Sequence, residues 1–190
     1  MADAVSEHRE LLDRVEELLS EVAAVARRVV EAFEADDRLF SFGNGGSACD
    51  AQHLAEELVA RYRRDRRPLP AVSLSADPSV LTCIGNDFGF EEVFARQVRA
   101  HARPGDVVVA FTTSGRSENV VRGLAAAHEV GATTVLFAGG DGRPAIDHAD
   151  HALVVPASST ARVQEMHVLL LHLLVEPVDV WAAGEGAGVT

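Results

Sequence analysis

Three short stretches of this sequence concentrate residues able to do chemistry. The first is Gly43-Asn44-Gly45-Gly46-Ser47, directly after an apolar run. Glycines there let backbone N–H groups close on an anion, a helix starting just beyond adds a favourable dipole, and Ser47 adds a hydroxyl. The second is Thr112-Thr113-Ser114-Gly115-Arg116-Ser117, between the run VVVAF and a helix opened by Glu118 and Asn119. Its hydroxyls can donate several hydrogen bonds to one phosphate, although an N-cap with spare serines is the plainer reading of such a turn. Two such loops at one sheet edge favour a phosphate. With neutral donors, a phosphomonoester suits them better than a triphosphate with magnesium.

The third stretch is a pair of helix faces. His53 and Glu57 lie four apart on the helix after the glycine loop, so they share a face. Gln164 and His172, eight apart, are nearly in line on the last helix, which also carries Glu165 and His167. A His/Glu pair at this spacing can be half a metal site, an acid/base pair or an ordinary surface ion pair. Its place one to three turns beyond the glycine loop, about the length of a sugar chain, favours chemistry.

Composition removes several alternatives. The chain has 190 residues, 47% hydrophobic and 24% charged, enough for one α/β domain with a real core. All 17 basic residues are arginine, so Schiff-base, pyridoxal-phosphate and Walker P-loop chemistry lack their central lysine. A net charge of −12 argues against nucleic acid. No apolar run approaches the roughly 18 residues of a membrane span. The acidic, helical start MADAVSEHRELLDRVEELL is unlike a signal peptide. Cys49 and Cys83 form neither a disulfide framework nor a zinc ribbon, which suits a reducing cytoplasm. Gly43-x-Gly45-x-x-Ala48 satisfies a relaxed dinucleotide fingerprint, but the acid expected at the end of the second strand is missing there: AVSL runs into Ser75-Ala76, and Asp77 comes late.

These residues need a scaffold, and the pattern of the chain supplies one. Apolar residues at helical spacing from Leu11 to Phe33 predict one long helix over 5–35, read as a packing or oligomerisation element. Five short runs then read as strands: Arg38–Phe42, Ala71–Leu74, Val107–Phe111, Thr133–Phe137 and Leu153–Val155. Between and after them, Cys49–Tyr62, Pro78–Ile84, Glu91–His101, Ser117–Val130 and Ala161–Trp181 read as helices. Near-continuously apolar strands separated by helices predict a three-layer α/β/α sandwich around a five-stranded parallel sheet, with ligands at the carboxyl ends of the strands. One domain over 1–183 is expected, with 184–190 a flexible tail.

Weaker candidates read mostly as structure. Arg61–Pro70 is the one basic cluster, a solvated helix end and turn or an anion contact. Asn86-Asp87 reads first as a turn, with Asp87 a possible hydroxyl acceptor. Gly139–Gly142 reads as a strand exit, and His148 with His151 as a polar surface cluster. Cys83 reads as buried.

Taken together, FGNGGSACDAQHLAEEL, CIGNDFGF, TTSGRSENV and ARVQEMHVLLLH resemble sugar isomerase (SIS) domains, and among them the phosphoheptose isomerases, over nearly the whole chain. The resemblance implies a cytoplasmic homotetramer, its first helix packed in the tetramer, that converts sedoheptulose 7-phosphate to a D-glycero-D-heptose 7-phosphate through an enediol. It implies Zn2+ held by His53, Glu57, Gln164 and His172, with Glu57 and His172 also moving protons. Phosphate and substrate would fall to Asn44, Gly45, Gly46, Ser47, Thr112, Thr113, Ser114, Ser117 and Gln164, with Arg61 and Asp87 around the sugar. Ala48 and Ala161 depart from the pattern, standing where many of these isomerases have a histidine and an acid. The alternative is a non-catalytic SIS module: a sugar-phosphate-binding protein, or a scaffold like the replication-initiator-associating relative. That relative shares Ala before Arg-x-Gln-Glu-Met-His but lacks counterparts of Glu57 and His172.

Overall fold

The computed structural model describes residues 2–184; the expected tail beyond Gly184 lies outside the described residues. Strands β1 (Leu39–Gly43), β2 (Ala71–Ser73), β3 (Val107–Phe111), β4 (Thr133–Gly139) and β5 (His151–Val155) form one parallel sheet in the order β2-β1-β3-β4-β5. This is the flavodoxin-like doubly wound order, in which the winding reverses between β1 and β3. The three-layer parallel reading of the sequence holds.

Strand pleating divides the core in two. Leu39, Val107, Val109, Phe111, Val135, Phe137, Leu153 and Val155 pack against helices α2 (Leu19–Glu34), α3 (Gly46–Val59) and α7 (Thr160–Ala182). Phe40, Phe42, Val108, Ala110, Leu136 and Ala138 face the other way, onto α5 (Ala95–His101) and α6 (Glu118–Glu129). The inner strands are buried from end to end, which is why they read as unbroken apolar runs rather than alternating ones.

Several expectations need correction. The predicted helix over 5–35 is two helices, α1 (Ala2–Val15) and α2, separated by a 3₁₀ turn at Glu16–Leu18. Its second half buries Val22, Val25, Val29 and Phe33 in this chain's own core. The helix after the glycine loop spans Gly46–Val59 rather than 49–62, because the glycine loop itself turns into helix. Helix α4 (Pro78–Phe88) runs four residues past its predicted end, so Asn86 and Asp87 are helical and not a turn. Its start is fixed by Asp77, whose carboxylate caps the N–H groups of Ser79 and Val80, with Pro78 in the first turn. That use of Asp77 also removes the late candidate for a ribose acid. The strand predicted from Leu153 starts at His151, whose Nδ1 lies 2.8 Å from Glu21 Oε1 on α2, and Asp150 accepts from the N–H and hydroxyl of Thr134. The supposed histidine cluster is therefore partly a strand anchor. Cys83 is exposed, not buried.

Part of the basic cluster is a buried structural tie rather than a solvated end. Asp179, fully buried on α7, accepts from the backbone N–H groups of Arg63 and Arg64 and, at 3.1 Å, from Arg66 Nε. The same guanidinium donates to the carbonyls of Glu57 and Leu58 at the end of α3. An ion pair with no exposed side-chain surface thus ties α3 to α7.

His167 pins α7 to the sheet. It is fully buried against Phe111 and Phe137, and its Nε2–H donates to Ala138 O at 3.2 Å. Burial outweighs that hydrogen bond and pulls its pKa from 6.5 down to about 4. The folded state therefore binds fewer protons than the unfolded chain between those values, and stability is lost as pH falls through that window, by about 3 kcal/mol at its lower end. Asp50 acts in the opposite sense, since burial raises its carboxyl to about 6 and protonation relieves it. The expected result is that His167→Gln shows a shallower fall in Tm than wild type between pH 6.5 and 4; parallel curves would refute the assignment. No described helix is long and apolar enough to cross a membrane.

Candidate active site

The β1/β3 switch point holds the site. Its first part is a cavity of about 200 Å³ lined by Asn44, Gly46, Ser47, Phe111, Thr112, Thr113, Ser117, Thr160 and Gln164. Three helices begin there: α3 at Gly46, α6 just after Ser117 and α7 at Thr160. Their N-cap residues Gly45, Ser117 and Ser159 make no side-chain capping bond, in contrast to Asp77 on α4. The first N–H groups of a helix are orphans that need an acceptor, and the helix dipole adds positive potential. Three helix N-termini without side-chain caps border one small cavity, and their dipoles offer it a positive potential that suits an anion. The Ser117 hydroxyl is free of the capping role that was its plainer reading.

Local packing fixes the loops. A Cβ at Gly43 would strike the backbone of Ser47 and Phe111, and one at Gly46 would collide with the Gln164 amide, so α7 lies directly over the glycine loop. Gly115 has φ +68° and abuts Gly142, where a side chain has no room.

The second part is a cluster on α3 and α7. His53 Nε2 lies 3.1 Å from Glu57 Oε1, and His172 Nε2 lies 4.0 Å from the same oxygen. The two imidazoles meet edge to face with centroids 5.0 Å apart, and donor atoms of His53, Glu57 and His172 all fall within 4.8 Å of one another. One carboxylate and two imidazoles at that separation are the donor set of a divalent transition-metal site. Burial lowers the pKa of His172, neighbouring His53 and Arg63 add to the effect, and Glu57 opposes it. Neutral imidazole is the form that binds a metal or exchanges a proton near pH 7.

The structure brings Asn44, Gly46, Ser47, Thr112, Thr113, Ser117 and Gln164 to the cavity, and His53, Glu57 and His172 to the cluster. Gln164 stands with its amide against Gly46, in the cavity wall. The Thr112 hydroxyl already accepts from Gly115 N–H, so it shapes its own loop. Ser114 faces an adjoining hollow with Arg116 and Gly140, and Gly45 is exposed at the rim with φ +55°. Arg61 and Asp87 are exposed and outside the cavity lining; Asp87 meets only its helix neighbours Asn86 and Cys83 in the contacts described.

Sequence reasoning missed four contributors. Thr160 lines the cavity and Tyr62 lies 5.7 Å from the His172 ring, centroid to centroid. Asn119 bonds Asn44, and Asp50 is buried one turn before His53 with Oδ2 lacking a partner. An acid on the buried face of α3 was the available signal for Asp50. Nothing local distinguished Tyr62.

Comparison with known proteins places this arrangement. A family model described as SIS domain matches residues 5–139. The phosphoheptose isomerase of Aquifex aeolicus is 48% identical over 165 residues, 87% of this chain and 86% of that protein. That of Trichlorobacter lovleyi is 43% identical over 99% of this chain and 96% of its own length. The chain belongs to the phosphoheptose isomerase family of SIS domains. The structure of phosphoheptose isomerase GmhA from Neisseria gonorrhoeae superposes with a TM-score of 0.87 at 39% identity, covering 94% of this chain and 96% of that one. As a member of this family the chain is a sugar-phosphate isomerase.

Proposed function

We propose that this chain converts sedoheptulose 7-phosphate to D-glycero-D-heptose 7-phosphate. The observation that carries the reading is one helix, α3, whose first residue lines the anion cavity and whose third and fourth turns carry His53 and Glu57. The separation along its axis is about 10–16 Å, the scale of an extended sugar phosphate with its phosphate in the cavity and its carbonyl end at the cluster.

Glu57 Oε takes the proton from C1 of the ketose, and neutral His172 Nε2 accepts the proton leaving O1 and delivers it to O2 in the enediol stage. Glu57 then returns its proton to C2, and the aldehyde forms with both groups as they began. No net proton is consumed, so one carboxylate and one neutral imidazole suffice for the transfers. His53, Glu57 and His172 fit a divalent cation, zinc by the donor set; Gln164, a fourth ligand by the resemblance, stands with its amide against Gly46. When bound, such an ion polarises the carbonyl and stabilises the developing oxyanion.

The assembly we infer is a homotetramer. Helix α4 buries none of its residues, and Phe88, Phe90 and Val72 are at least half exposed. We place a subunit interface on this apolar surface, and a neighbouring subunit is where the exposed Asp87 and Arg61 would meet substrate. The free, exposed Cys49 and Cys83 suit a reducing, cytoplasmic setting.

The test is proton NMR of sedoheptulose 7-phosphate with the purified protein, with and without Zn2+. New anomeric signals that His172→Ala abolishes support the isomerase. Binding without conversion under either condition would instead assign the chain to the non-catalytic SIS modules.

A further inference from the structure

We infer that Asn119 is a positioning residue for phosphate binding, acting through Asn44. The inference rests on the reading of the cavity as a phosphate site. At the switch point the two phosphate loops part company: Gly43 pairs in register with Phe111, after which one chain turns into α3 on one face of the sheet and the other into α6 on the opposite face. Their backbone hydrogen bonds run elsewhere, from Ser47 N–H to Asn44 O and from Thr112 N–H to Phe137 O.

Two side chains cross the gap. Asn44 Nδ2 donates to Asn119 Oδ1 at 2.8 Å, and Asn119 Nδ2 donates to Asn44 Oδ1 at 2.8 Å. This is a closed, reciprocal amide pair, each side chain both giving and taking. Asn119 is only 4% exposed, in the first turn of α6 two residues after Ser117. On the other flank Ser75 Oγ accepts from Gly43 N–H at 3.1 Å and donates to Gly43 O at 3.0 Å. The glycine loop is thereby held from both sides.

The consequence concerns geometry. Ser47 comes from one loop and Thr113 and Ser117 from the other, yet all must reach the oxygens of one phosphate. The amide pair sets their spacing before ligand arrives, so binding does not have to order it. A carboxylate, hydroxyl or alkyl group at either position cannot form the same closed pair.

The experiment is calorimetric titration of wild type, Asn119→Ala, Asn44→Ala and the double variant with sedoheptulose 7-phosphate and with inorganic phosphate, alongside kcat, KM and Tm. Each single variant is expected to raise Kd and KM by about tenfold, from the loss of two hydrogen bonds and of loop order. Because Asn119 lines neither the anion cavity nor the His/Glu cluster, kcat of Asn119→Ala should hold within about threefold. The double variant should be no worse than either single one, since both remove the same pair. Wild-type binding with unchanged Asn119→Ala binding overturns the inference alone, as do losses that multiply in the double variant. A wild type that binds neither ligand overturns the inference and the reading of the cavity together. Should Asn119→Ala fail to fold, Asn119→Asp, which keeps the volume but cannot close the reciprocal pair, decides by the same criteria.

Discussion

Glu57→Gln is expected to lower kcat by about 10²–10⁴-fold while leaving sugar-phosphate affinity within about threefold of wild type. The substitution is nearly isosteric. An amide can still meet His53 where Glu57 Oε1 now lies at 3.1 Å, so the α3 face keeps its shape. What it cannot do is take a proton from carbon and give it back. The phosphate cavity is formed by other residues at the far end of α3 and is untouched. Loss of turnover with binding retained would separate the proton-transfer end of the site from the anion end. Near-full turnover would remove Glu57 from the mechanism.

Asp179→Ala is expected to destabilise the fold by about 3–5 kcal/mol, because it leaves the buried Arg66 guanidinium without its counter-charge. For a domain of this size that corresponds to a fall in Tm of about 6–20 °C. Arg66 Nε lies 3.1 Å from Asp179 Oδ1, and neither side chain has exposed surface. The loss should reach the site as well, since Arg66 donates to the Glu57 carbonyl and the same loop carries Tyr62 to His172. Thermal melts of Asp179→Ala and of Arg66→Met/Asp179→Leu make the check. The double variant should recover only the part of the loss due to the uncompensated charge, since the N–H groups of Arg63 and Arg64 and the carbonyls of Glu57 and Leu58 still lose their partners. A single variant melting with wild type would show that the pair contributes nothing.

How much of this was legible in the sequence follows from what each feature depends on. The sheet was legible because its inner strands are buried on both faces and read as apolar runs, and the two cavity-lining loops because glycine and hydroxyl residues cluster locally. The His53/Glu57 pair was legible from helical spacing alone. The break at Glu16–Leu18 was not, since the helical apolar period continues through it without proline or glycine. Nor was the role of Arg66. A basic run looks solvated until the partner is seen, and Asp179 lies 113 residues away. The Asn44–Asn119 pair, 75 residues apart, is hidden for the same reason. Local chemistry shows in a sequence, but side chains that pair across the fold need the fold.

In the proposed reaction, a phosphate-binding cavity and a Glu57-centred cluster together isomerise a heptose phosphate through an enediol. The most direct measurement is deuterium incorporation, by NMR, when sedoheptulose 7-phosphate is turned over in D2O by wild type and by Glu57→Gln. Deuterium is expected at C2 of the aldose and at C1 of recovered ketose with wild type, and at neither with the variant. Conversion with no solvent deuterium in either sugar, or incorporation that persists in Glu57→Gln, would contradict it.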